Sequence, residues 1–106
     1  MSADHVVVAS TIDSEDAARA LASAAIEARV AACAQIVGPI TSVFRWEGAV
    51  QTETEWRVEC KTARDRAAAL VDLLKARHSY DVPEIIVTPI EGGGAEYLEW
   101  VTLETR

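Results

Sequence analysis

Between positions 78 and 85 the chain reads HSYDVPEI, which places an imidazole, a phenol and two carboxylates around one proline. His78 could give a ring nitrogen to a metal ion, and Asp81 or Glu84 a carboxylate oxygen. Divalent ions held by such donors bind weakly and follow the general order that favours copper. Tyr80 adds a ring and a hydroxyl to the same corner. Two thiols are present, Cys33 and Cys60, with no CxxC pair and no Cys/His zinc spacing. Cys33 stands where a helical stretch passes into an extended one, so it joins His78, Asp81 and Glu84 as a candidate metal donor. Cys60 shares the apolar parity of Val58 and Trp56 and reads as a core thiol. A ligand-free reading competes at the corner: a histidine in the last turn of a helix can satisfy a free carbonyl, and Pro83 forces Val82 out of the helical region.

The elements that must position these groups follow from periodicity. His5 to Ser10 is a short β-branched run, read as a buried strand. Asp13 or Ser14 can cap the next element, with Glu15 and Asp16 favoured in its first turn. Ala17, Ala18, Leu21, Ala24, Ala25 and Ala28 then recur at helical spacing, and the helix should end near Arg29. Cys33 to Val37 is extended, Gly38-Pro39 interrupts it, and Ile40 to Trp46 continues with Ile40, Phe44 and Trp46 on one side. Glu47-Gly48-Ala49 is the turn. Val50, Thr52, Thr54, Trp56, Val58, Cys60 and Thr62 alternate with Gln51, Glu53, Glu55, Arg57, Glu59 and Lys61, a period of two over thirteen residues. The acid row of that strand reads as a solvated face.

Thr62 and Asp65 resemble a capping box and should open a second helix buried through Ala67, Leu70, Val71 and Leu74. A last strand runs from Glu84 to Pro89. After three glycines, Ala95 to Leu103 should form a short helix with Tyr97, Leu98 and Val101 turned inward. The order β-α-β-β-α-β plus a terminal helix is the split βαβ, ferredoxin-like α+β arrangement, one domain over residues 1–106, with helices covering one sheet face. Pairing the hairpin about its turn puts Lys61 opposite Gln35 and near Cys33, where an ammonium would act on the thiol or hold an anion. Lys61, Tyr80 and Trp46 are therefore the expected ligand-pocket residues.

Composition narrows the function. The net charge is −7, and no basic stripe is present, so a nucleic acid backbone would be repelled. The fold order is shared with RNA-recognition modules, but the long strand displays acids where stacking aromatics would be needed. A phosphatase of this fold would need an arginine and an oxyanion cradle near TIDSED, which has neither. No catalytic residue is assigned. The apolar run from Val6 to Ala9 is too short for a signal peptide or membrane span, and two unpaired cysteines suit a reducing compartment, so the cytoplasm is expected.

The hairpin also predicts self-assembly. A strand of thirteen residues spans roughly 43 Å at about 3.3 Å per residue. A compact domain of this length has a diameter of roughly 33 Å. The excess carries large aromatics, and such an edge needs a neighbour. A closed homo-oligomer is expected, with the hairpin as its assembly arm.

In VAACAQIV at 30–37, SVFRWEG at 42–48, E-x-x-x-x-x-KT ending at Thr62, HSYDVPEI at 78–85 and YLEWV at 97–101, the chain resembles the CutA divalent-cation tolerance family. The resemblance implies a homotrimer similar in plan to the PII signalling proteins, an association with copper and other divalent metals, no obligatory cofactor and no established reaction. It also implies a shared cysteine at Cys33. Where some members carry a cysteine closing strand one and paired histidines before the tyrosine, this chain has Ser10 and Arg77-His78. Ser79, Asp81, Gln35 and Phe44 stand where the family usually has proline, glutamate, asparagine and tyrosine. An alternative to metal response is a rigid trimeric platform for another partner.

Overall fold

A computed structural model describes residues 4–106; residues 1–3, the start of the stretch read as carrying no leader, lie outside them. The elements are β1 (His5–Ile12), α1 (Glu15–Glu27), β2 (Cys33–Trp46), β3 (Ala49–Ala63), α2 (Ala67–Arg77), β4 (Ile85–Ile90) and α3 (Ala95–Glu104). Among the described residues the strands form one sheet in the order β2-β3-β1-β4, with antiparallel neighbours throughout. That is the ferredoxin-like arrangement expected from the element order.

Local chemistry explains most boundaries. Ser14 is extended, and its hydroxyl accepts the Ala17 N–H at 3.0 Å, which starts α1. The two-residue turn Glu47-Gly48 has φ of 50° and 81°, the doubly left-handed form whose twist matches a hairpin. Leu70 and Leu74 of α2 are fully buried against Val8, Val58 and Cys60, with Ala18, Leu21 and Ala25 of α1 beside them. Each large side chain so buried contributes about 1.5–3 kcal/mol.

The register corrects one expectation about the hairpin. Cys33 faces Lys61, and Gln35 faces Glu59; past Gly38-Pro39 the pairing slips by one, so Ile40 faces Glu55 and Trp46 faces Ala49. Gly38 is required there because a Cβ would drive into the indole ring of Trp56. The capping box at Thr62 and Asp65 is not formed. β3 extends to Ala63 to pair with His5, which buries Thr62 inside the sheet. A 3-10 turn over Arg64–Arg66 precedes α2, which has no side-chain cap, and Asp65 instead binds Arg106 through two contacts of 2.8 Å.

α1 and α2 cover the sheet face that bears Val8, Val58 and Cys60. α3 crosses to the other face, where His5 Nε2 lies 2.8 Å from the Thr102 hydroxyl. Of its expected inward residues, Val101 is fully buried, Leu98 half-buried and Tyr97 exposed. The molecule measures 44 × 28 × 22 Å, because the outer part of the hairpin runs beyond the body.

Candidate functional site

The HSYDVPEI corner is a latch. α2 stops at Arg77, and His78 turns extended with φ −74° and ψ 144°. His78 Nε2 bonds the Thr11 carbonyl at 2.8 Å, and Nδ1 accepts the Tyr80 N–H at 3.1 Å. A carbonyl can only accept and an amide N–H only donate, so both ring nitrogens are used inside the fold. The Tyr80 ring leans on that of His78, with centroids 4.6 Å apart, and its hydroxyl donates to Glu55 Oε2 at 2.8 Å. Ser10, fully buried at the position where some members of the resembled family have a thiol, donates to the Glu84 carbonyl at 2.7 Å. Three side chains therefore tie the corner to β1 and β3.

Glu55 is the acid that the alternation misplaced. It is only 6% exposed, not part of a solvated row, because the corner folds over it. Burial first, then the hydrogen bond to Glu55 and its charge, push the Tyr80 phenol well above its ordinary value. The hydroxyl keeps its proton and its role as donor.

Beside this latch runs a groove of about 790 Å³ between the corner and the hairpin arm. Phe44, Trp46, Tyr80 and Val82 supply apolar surface, and Asp13, Glu53, Asp81 and Glu84 supply carboxylates. Asp81 and Glu84 are exposed; Glu84 also reaches Arg57 at 3.7 Å. Trp46 and Tyr80 both line this groove, with two of the four candidate metal donors, Asp81 and Glu84.

Cys33 and Lys61 are elsewhere. Lys61 pairs with Val7, whereas His78 bonds Thr11, four residues further along β1. At about 3.3 Å per residue the two positions lie at least about 13 Å apart along the strand. Lys61 Nζ donates to Gln35 Oε1 at 2.6 Å. The Tyr97 phenol is pushed above its ordinary value, by burial first and then by the nearby Cys33. Cys60, on the opposite face, has its thiol pushed up to about 12, chiefly by burial. Among the described residues no three His, Cys, Asp or Glu side chains are arranged to hold a metal ion. With His78 spent on the latch and Cys33 remote from it, the donors do not form a copper site within one chain. Sequence reading missed the Glu55 latch, whose partner Tyr80 lies 25 positions away.

A small α+β protein with a protruding hairpin, a latched corner and an acid-rich groove is thereby defined. A family profile described as CutA1 divalent ion tolerance protein matches residues 6–104, and the chain belongs to that family. It is 45% identical over 95% of its length to Protein CutA 1, chloroplastic, of Oryza sativa, of which it spans 57%. It is 42% identical over 93% of its length to the divalent-cation tolerance protein CutA of Thermus thermophilus, covering 96% of that protein. The crystal structure of CutA1 from Oryza sativa superposes with a TM-score of 0.94 at 43% identity, covering 99% of this chain and 96% of that one. The family name describes tolerance to divalent ions and not a reaction. Among the described residues no helix is long and apolar enough to cross a membrane.

Proposed function

We propose that this protein works as a closed homotrimer that responds to divalent cations without catalysis, binding them weakly at contacts between subunits. The observation that carries this reading is the arm. Val43 and Val50 are 67% and 64% exposed and Trp46 is 41% exposed on a hairpin that stands out from the body. Exposed apolar edges of this kind invite pairing with further copies. The groove beside the arm supplies hard carboxylate oxygens from Asp81 and Glu84, to which a second subunit can add donors. His78 would join them only by releasing Thr11 or Tyr80. Copper binds ahead of nickel or cobalt in the general affinity order. Free Cys33 and Cys60 suit a reducing compartment such as the cytoplasm.

Sedimentation of the purified chain at micromolar concentration tests the assembly: three times the single-chain mass is expected, and a monomer overturns it. Copper titration followed through the resonances of Asp81, Glu84 and His78 tests the metal. Binding in roughly the millimolar range is expected; unchanged resonances there would leave the second reading, a rigid trimeric platform for another partner. That alternative draws on the latch itself, which commits both nitrogens of His78 to the fold.

A further inference from the structure

The groove beside the latch is built on one face of the hairpin arm. Across the ladder Ser42 faces Glu53 and Phe44 faces Gln51, and partners of this kind share a side of the sheet. All four line the groove, together with Thr11 of β1 and the corner residues. Among the described residues Asp13, Glu53 and Asp81 make no ion pair, whereas Glu84 reaches Arg57 at 3.7 Å. Arg45, the cation among the lining residues, turns to the Gly48 carbonyl of the hairpin turn. Burial first, then Glu55 and the charges of Asp13 and Glu53, raise the Tyr80 phenol, so these three acids gather around one ring.

A second observation points to an occupant. Thr11 is only 4% exposed, yet it lines the groove. Its carbonyl takes the His78 ring nitrogen, while its hydroxyl has no hydrogen-bond partner among the described residues. Polar side chains buried this deeply are seldom left without one, and a hydroxyl oxygen accepts readily from an ammonium. A metal ion would need its oxygen donors drawn to within about 2.0–2.6 Å of one point. No three are so arranged among the described residues. The space of about 790 Å³ is instead of the size that takes a small organic molecule. Separated acids with ring faces between them suit several positive centres joined by apolar links.

We propose that this groove binds a linear polyamine, its ammonium groups held by Asp13, Glu53 and Asp81 and its methylene chain lying against Phe44, Trp46 and Tyr80. One ammonium also donates to the Thr11 hydroxyl. The ring faces attract the cationic centres and cover the methylenes between them. Val50 alternates with Gln51 and Glu53 and so stands on the reverse face of the arm; a neighbouring copy seated there leaves the groove face open.

The inference shares the groove with the metal reading but rests on neither copper nor the trimer. The test uses the full chain in its own assembly state, stripped of metal on a chelating resin and titrated by calorimetry at low, matched ionic strength with spermidine, pentylamine and magnesium chloride. Spermidine is expected to saturate one site per chain with a Kd on the order of 0.1 mM, about tenfold tighter than pentylamine or magnesium. Glu53→Gln and Phe44→Leu should each weaken spermidine about threefold, and Thr11→Val by about the same factor. Asp72→Asn, an equal loss of charge on the exposed side of α2, should leave its affinity unchanged. Spermidine binding no tighter than pentylamine, or weakened as much by Asp72→Asn as by Glu53→Gln, would mean a cation drawn by net charge alone and would overturn the proposal. Magnesium binding as tightly as spermidine, with no dependence on Phe44, would overturn it and leave the metal reading standing. Copper that leaves the groove resonances unchanged while spermidine saturates the site would support the polyamine and remove the metal.

Discussion

The inner and outer halves of the β2–β3 hairpin share one sequence pattern and have opposite fates. In the inner half the apolar parity of β3 is sealed: Val58, Cys60 and Thr62 have no exposed surface beneath α1 and α2. In the outer half the same parity, at Val50 and Thr54, is open to solvent. Gly38 and Glu55 mark the boundary, where the register slips and Tyr80 clasps the strand. Alternation tells which residues share a face. It says nothing of whether another element, or another copy, lies on that face.

The sharpest way to break the comparison is to place the same charge on both halves. Val58→Asp buries a carboxylate with no partner and should cost more than about 4 kcal/mol, read as loss of cooperative unfolding in denaturant. Val50→Asp, at the same parity eight residues away, should leave the unfolding of the isolated chain within about 0.5 kcal/mol and show its effect in the sedimentation of the assembly. Equal losses in the two variants would mean that the outer half is core. Gly38→Ala sits at the boundary and must displace the Trp56 ring; about 3 kcal/mol of destabilisation is expected from overpacking, with the shift visible in Trp56 fluorescence.

Tyr80→Phe sharpens the boundary from the other side. It strands the Glu55 carboxylate in its buried place and should cost about 2 kcal/mol, whereas the double change Tyr80→Phe with Glu55→Leu should recover most of that loss. The smallest effect belongs to the body's outer rim. The bidentate contact with Arg106 holds the Asp65 carboxyl below its ordinary range, so its contribution is present at neutral pH and is lost as pH falls through the depressed value. Asp65→Asn should therefore shallow the acid limb of stability slightly and leave the curve above pH 5 unchanged in shape.

How far the text of the chain could be read depends on the range of the interaction involved. Ser14 as a cap, the Glu47-Gly48 turn, the long alternating strand and the helix stop before Pro83 all follow from neighbours within a few residues. The misread capping box shows the limit: Thr62 has the right local spacing, but pairing with Val6 across 56 positions wins, because the ladder buries more than a cap secures. The site divides the same way. Trp46 and Tyr80 stand out in the chain's motifs, and the fold sets both along one groove. Of the two uses of the His78 ring, the bond from the Tyr80 N–H is local, whereas the carbonyl it meets belongs to Thr11, far away in sequence, and spacing near residue 78 does not say which carbonyl that is.

Sequence alone thus determined the order and type of elements, the fold class that this order permits, and a hairpin too long for its body, since each arises from periodicity and turn chemistry along the chain. Only the tertiary structure decided which acid is buried, that α3 crosses to the second face to meet Cys33, and that His78 closes a corner while Lys61 stands over a thiol. Those outcomes belong to side chains brought together from distant positions, where burial and hydrogen-bond satisfaction, not spacing, select the partner.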